Sequence, residues 1–178
     1  MKAGIFVALA ALALAIVTVP EAQGKSGPDV DQRIAGHIFG VDDDEDTGNT
    51  TSLLNAIAKG QPGKAQITAV IVFKTDFILP PEDDRNCPPD FPLEADIISF
   101  EWGETYNDGS LLAGAVDPDD PAQVLCLDLG ITLAVANLTG MITGGTGRFE
   151  GASGTWASEA SSPVSNSTAV GSITADLN

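Results

Sequence analysis

The segment FEWGETYNDG, residues 100–109, carries the polar side chains best suited to chemistry: Glu101, Glu104, Tyr106 and Asp108 follow Phe100 and alternate with Trp102. A carboxyl group held beside aromatic rings loses water, and that loss raises its pKa, which is the property a general acid requires. The same residues also read as a β-hairpin with Asn107, Asp108 and Gly109 at its turn. His37 is the single histidine of the chain. Strand alternation sets it on the face of Arg33, Ala35 and Phe39, a placement that supports neither a Ser-His-Asp triad nor a His-rich metal site. Ser153, in Gly-Ala-Ser-Gly, lacks the spacing of a nucleophile elbow. Glu101, Tyr106 and His37 are therefore the catalytic candidates, with no role yet attached to any of them.

Carboxylates could also serve a cation. The run VDDDEDTG, residues 41–48, has five consecutive acidic side chains that repel one another unless water or an ion separates them. Calcium would do so through Asp42, Asp44 and Asp46, but an EF-hand needs Gly at its sixth position and Glu at its twelfth. Counting from Asp43 gives Gly48 and then Leu54, so that loop type is excluded. Asp117, Asp119 and Asp120 form a second acidic turn, and ordinary solvated loops account for both runs as well as weak calcium binding does. No other cofactor is expected.

The chain opens on Lys2 and an unbroken apolar run, residues 5–19, followed by Pro20 and small residues. Such a start is a secretory signal peptide, here residues 1–24 with cleavage after Ala22 or Gly24. The run is short for a membrane helix and no later stretch is comparable, so residues 25–178 are expected as one exported domain without a membrane span. Cys87 and Cys126 are the only cysteines, and an even pair in an oxidising compartment predicts one disulfide. The formal charge of −17 repels phosphate backbones and excludes nucleic acid as a natural partner.

The elements that must hold these side chains are strands. In AQITAVIVFKTDF, Ile67, Ala69, Ile71, Phe73 and Phe77 share one face with a period of two. Further strands are predicted over residues 33–41, 94–102, 110–116, 123–129, 131–139, 153–157 and 167–177, separated by Gly, Pro, Asn and Asp clusters. Residues 49–59 could form a helix capped by Thr50 or Thr51 and ended by Gly60, or a loop. Short, evenly spaced strands predict an all-β fold, an antiparallel closed or nearly closed barrel of about eight strands. One Tyr and two Trp are too few for the aromatic girdles of an outer-membrane barrel.

Six glycines crowd residues 138–156, LTGMITGGTGRFEGASGTW. Neither a phosphate loop nor a dinucleotide fingerprint has the required spacing here. The segment reads instead as two strands joined by a Gly-rich bend with Phe149 available to pack. Within it, ITGGTGRFEGASG resembles a stretch of allene oxide cyclases and, less closely, of dirigent proteins and of many secreted bacterial proteins of unassigned function. The resemblance spans about the last 55 residues with the preceding and final strands, and it implies an eight-stranded barrel that binds or steers a reactive apolar small molecule. It carries none of those families' working polar residues onto this chain. Three functions stay open: an exported barrel holding a small apolar ligand, a non-catalytic extracellular scaffold or weak calcium binder, and an isomerase or cyclase of the allene oxide cyclase type. The interior is expected to bury Ile67, Ile71, Phe73 and Phe149, with Ala113, Gly114, Ala134, Ala136, Ala169 and Gly171 leaving space if they point inward.

Overall fold

The computed structural model describes residues 30–117, 120 and 123–178, so the expected signal peptide and Asp119 lie outside the described residues. Alternating small or apolar and polar side chains produce nine strands: β1 (Val30–Asp44), β2 (Asn49–Gln61), β3 (Ala65–Lys74), β4 (Leu93–Tyr106), β5 (Leu111–Val116), β6 (Val124–Leu127), β7 (Leu133–Thr146), β8 (Gly154–Pro163) and β9 (Thr168–Leu177). All pair antiparallel, in the order β3-β2-β1-β9-β8-β7-β5-β4, and β4 returns to β3, which closes an eight-stranded barrel. The closing seam runs from Ala65 opposite Tyr106 to Phe73 opposite Ile97. The ninth strand, β6, lies on the same side of β4 as β5: β5 pairs with Glu101–Thr105 of β4, and β6 pairs with Leu93–Asp96 of the same strand.

One expected element is corrected. Residues 49–59 form neither helix nor loop but most of β2, which pairs along its length with both β1 and β3. Ser52, Ala56 and Ala58 are buried on its inner face while Asn55, Ile57 and Lys59 are exposed. Weak alternation of small residues conceals this pattern in the sequence, and two flanking ladders supply backbone partners that an isolated helix would have to make alone.

The barrel interior differs between its ends. At one end, the floor, a turn of 3-10 helix at Gly147–Phe149 folds under the strands and buries Phe149 to 2% exposure, its ring 5.0 Å from that of Tyr106. Gly147 sits at φ +64°, and a Cβ there would lie 2.5 Å from the Ser110 hydroxyl, so this corner requires glycine. Leu112, Ala58, Ala65, Trp156 and Leu177 complete a tightly filled floor. Toward the other end, the mouth, inward positions become small: Ala134, Ala136, Ala160, Ala169 and Gly171.

Outside the barrel, the segment between β3 and β4 packs over β6 and β7. It is tied down by the Cys87–Cys126 disulfide, which forms as expected and leaves no free cysteine among the described residues. Cys87, Val124 and Cys126 make a small second core with Phe91 and Val135. Beside it the buried Glu94 carboxylate accepts the Asn86 and Cys87 backbone N–H groups at 2.7 and 2.8 Å. Replacing both cysteines by serine frees a loop spanning 39 positions. The replacement should lower unfolding stability by roughly 3–4 kcal/mol on the chain-entropy model, read as a drop in the urea midpoint, with a steeper slope because the unfolded chain without its cross-link exposes more surface.

Candidate functional site

Small inward side chains leave a cavity of about 390 Å³ in the mouth half of the barrel. Its walls are Ile34, Leu54, Ile71, Phe73, Phe100 and Leu138, with Ile67, Trp102 and Ile173 at its inner limit. Ser52, Ser158 and Ser162 contribute hydroxyls, and no described residue of the lining is ionisable. Of the small residues read from the sequence, Ala134, Ala136, Ala169 and Gly171 line the cavity. Gly114 also faces inward, but its space is used by Trp102: a Cβ there would lie 2.8 Å from three atoms of the indole. A larger depression of about 580 Å³ lies outside the barrel, where Asp31, Thr139, Thr155, Thr174 and Asp176 contribute. Those side chains come from the outward positions of the strands, and the depression is open to solvent.

The titratable chemistry sits one layer deeper than the cavity. Along β4 the inward side chains run Phe100, Trp102, Glu104, Tyr106, so strand periodicity carries a carboxyl group into the floor. Glu104 is 1% exposed and accepts the Tyr106 hydroxyl hydrogen bond in a very short contact. The Gln32 amide, also buried, donates to the Gly63 carbonyl at 2.7 Å and weakly to the Tyr106 oxygen at 3.5 Å. Glu104 Oε1 and Gln32 Oε1 have no hydrogen-bond partner among the described residues. The Arg148 guanidinium lies 4.3 Å from the centre of the Tyr106 ring and 4.9 Å from that of Phe149, and meets Asp108 at 3.6 Å.

Burial pushes the Glu104 carboxyl up to about 7, against the opposing pulls of the Tyr106 hydrogen bond and the Arg148 charge. Burial, then the hydrogen bond to Glu104, drives the Tyr106 hydroxyl upward, so it stays protonated and donates. The desolvated carboxyl expected beside the aromatics of residues 100–109 thus exists, and it is Glu104. Glu101, one position out of phase, is exposed on the outer face. Tyr106 points inward but belongs to the floor, and His37 is exposed outside with Arg33, Ala35 and Phe39. Asn107, Asp108 and Gly109 make the expected hairpin turn, with Gly109 at φ +81°. Glu104 was distinguishable from Glu101 by parity with Trp102 and Tyr106.

Asp42, Asp44 and Asp46 are all exposed in the β1–β2 hairpin. Asp44 accepts from the Asp46 N–H and the Thr47 hydroxyl, bonds that hold its carboxyl below the usual range, the Thr47 contact most strongly. Among the described residues no group of three or more His, Cys, Asp or Glu is arranged to hold a metal ion. No helix among them is long and apolar enough to cross a membrane. Comparison with family models, curated proteins and solved structures finds no match for this chain.

A carboxyl raised on folding binds its proton more tightly in the folded state, so its contribution is fully present below the unfolded value near 4.5 and is lost as pH rises toward 7. Asp44, Asp108 and Asp128 are shifted downward, so their slope lies at more acid pH, outside this window. Urea unfolding should therefore show stability falling between pH 4.5 and 7. The Glu104→Gln variant should remove that slope and gain stability at pH 8, by an amount on the order of 3 kcal/mol.

Proposed function

We propose that the barrel is a binding protein for one small apolar molecule, held in the mouth half of its interior. The observation that carries this reading is the cavity of about 390 Å³ whose described lining is aliphatic, aromatic and serine, with no ionisable side chain. A well-packed interior tolerates few voids larger than a water molecule, whereas ligand sites occupy roughly 300–1,000 Å³ and are mostly apolar. Apolar walls of this kind stay dry and gain by accepting an apolar guest.

Binding is favoured over catalysis because Glu104, the group with a pKa suited to proton transfer, lies beneath Trp102 and Ile67 rather than on the cavity wall. The resemblance of ITGGTGRFEGASG to allene oxide cyclases and dirigent proteins supports the same class of guest, and membership of that barrel family is part of the proposal. The apolar run at residues 5–19 supports export, and a disulfide fits an oxidising compartment.

A neutral apolar fluorophore, N-phenyl-1-naphthylamine, should bind with one-to-one stoichiometry and quench the cavity tryptophan. Filling the cavity with Ala136→Phe, or with the milder Ala160→Leu, should weaken it by at least about tenfold, the affinity equivalent of roughly 1.4 kcal/mol. Undiminished binding in both folded variants would locate the probe elsewhere and reject the proposal.

A further inference from the structure

The apolar walls do not end at the rim. Ile131 and Val164 line the cavity at an apolar lip, where they are still 56% and 49% exposed, and Leu129 and Leu79 on neighbouring mouth-end segments are exposed as well. Directly outside this lip the charge is one-sided. The β1–β2 hairpin presents Asp42, Asp43, Asp44, Glu45 and Asp46, and it is joined to the end of β3 by Thr50, whose hydroxyl donates to Asp43 at 2.7 Å and meets Thr75 at 3.1 Å. Thr50 stands opposite the cavity residue Phe73. Asp76 precedes the cavity residue Phe77, and Asp128 follows the cavity residue Leu127 on the far side of the mouth.

Cations are distributed the other way. Among the described residues Lys74 and Arg85 are those of the mouth-end segments, and the Arg85 side chain is turned to the Pro80 carbonyl at 3.1 Å. Arg33, Lys59, Lys64 and Arg148 lie toward the floor end. A low-dielectric pit with carboxylates on two sides of its opening focuses negative potential there.

We infer that the natural guest is an amphiphilic cation: an apolar body occupies the cavity, and an amine or quaternary ammonium head stays at the mouth among the carboxylates. The inference rests on the apolar-ligand reading above and adds the chemical class of the guest. Each part of the site has one task. The wall offers a charged head no partner, so the head does not enter. The lip covers the methylenes nearest it. The outer carboxylates attract cations and repel a carboxylate- or sulfate-headed amphiphile of the same length.

The test compares three ten-carbon probes, each below its aggregation limit: decyltrimethylammonium, decanol and decanoate, titrated calorimetrically into the whole protein at low ionic strength. The expected order of affinity is cation, neutral, anion. The cation should exceed the anion by at least about tenfold at low salt, and the gap should shrink several-fold at 0.5 M salt, where the screening length falls to roughly 4 Å. The triple variant Asp42→Asn, Glu45→Gln, Asp46→Asn, which spares the Asp43 and Asp44 hydrogen bonds, should narrow the preference without altering decanol binding. Ala136→Phe or Ala160→Leu should weaken all three.

Equal binding of cation, neutral and anion would overturn the inference while leaving the apolar-ligand reading intact. Cation binding that survives both cavity-filling variants would mean adsorption to the acidic surface, and would also overturn it. Failure of all three probes to bind would remove both readings.

Discussion

Closure of the barrel through the β3–β4 ladder is the constraint on which everything else depends. Once eight strands meet, the enclosed width is set by strand number and stagger, and only side-chain size decides what is full and what is empty. Around the floor that width is taken up by Tyr106, Phe149, Leu112 and Trp156, with Trp102 and Trp156 meeting edge to face at 5.7 Å. Around the mouth the same width is met by Ala136, Ala160, Ala169 and Gly171. The cavity therefore follows from composition layer by layer and needs no irregular backbone.

The floor accommodates the one costly group of the interior. An ionised Glu104 would be nearly dehydrated, and its Oε1 has no donor among the described residues. The upward displacement of its pKa is the equilibrium response: below neutrality the group is held as an acid, and burial costs less. Tyr106 and Arg148 reduce the penalty of ionisation without removing it. Above this layer Ile67 and Trp102 keep the carboxyl off the cavity wall, so the interior holds a proton-binding floor and an apolar chamber as separate parts.

Period two was visible wherever one face carried large apolar residues, as in β3, where Ile67, Ile71 and Phe73 face inward as expected. It was obscured in β2, because Ser52, Ala56 and Ala58 differ little in hydrophobicity from their outward neighbours, and only the two flanking ladders identify the strand. The Gly-rich stretch revealed a bend and an inward Phe149, which the structure has. The site was legible in part: a desolvated carboxyl among residues 100–109 could be anticipated, but choosing Glu104 over Glu101 required the phase of β4, which Trp102 and Tyr106 fix once they are known to be buried. The polarity of charge along the barrel was illegible, since it depends on which loops gather at the same end.

The most direct measurement of the central claim is a methyl NMR titration of the isoleucines with decanol. Ile34, Ile67, Ile71 and Ile173 line the cavity, whereas Ile57 and Ile98 face outward. Saturable shifts confined to the first group are the predicted result. Shifts spread equally over both groups, or none at saturating decanol, would contradict a ligand chamber inside this barrel.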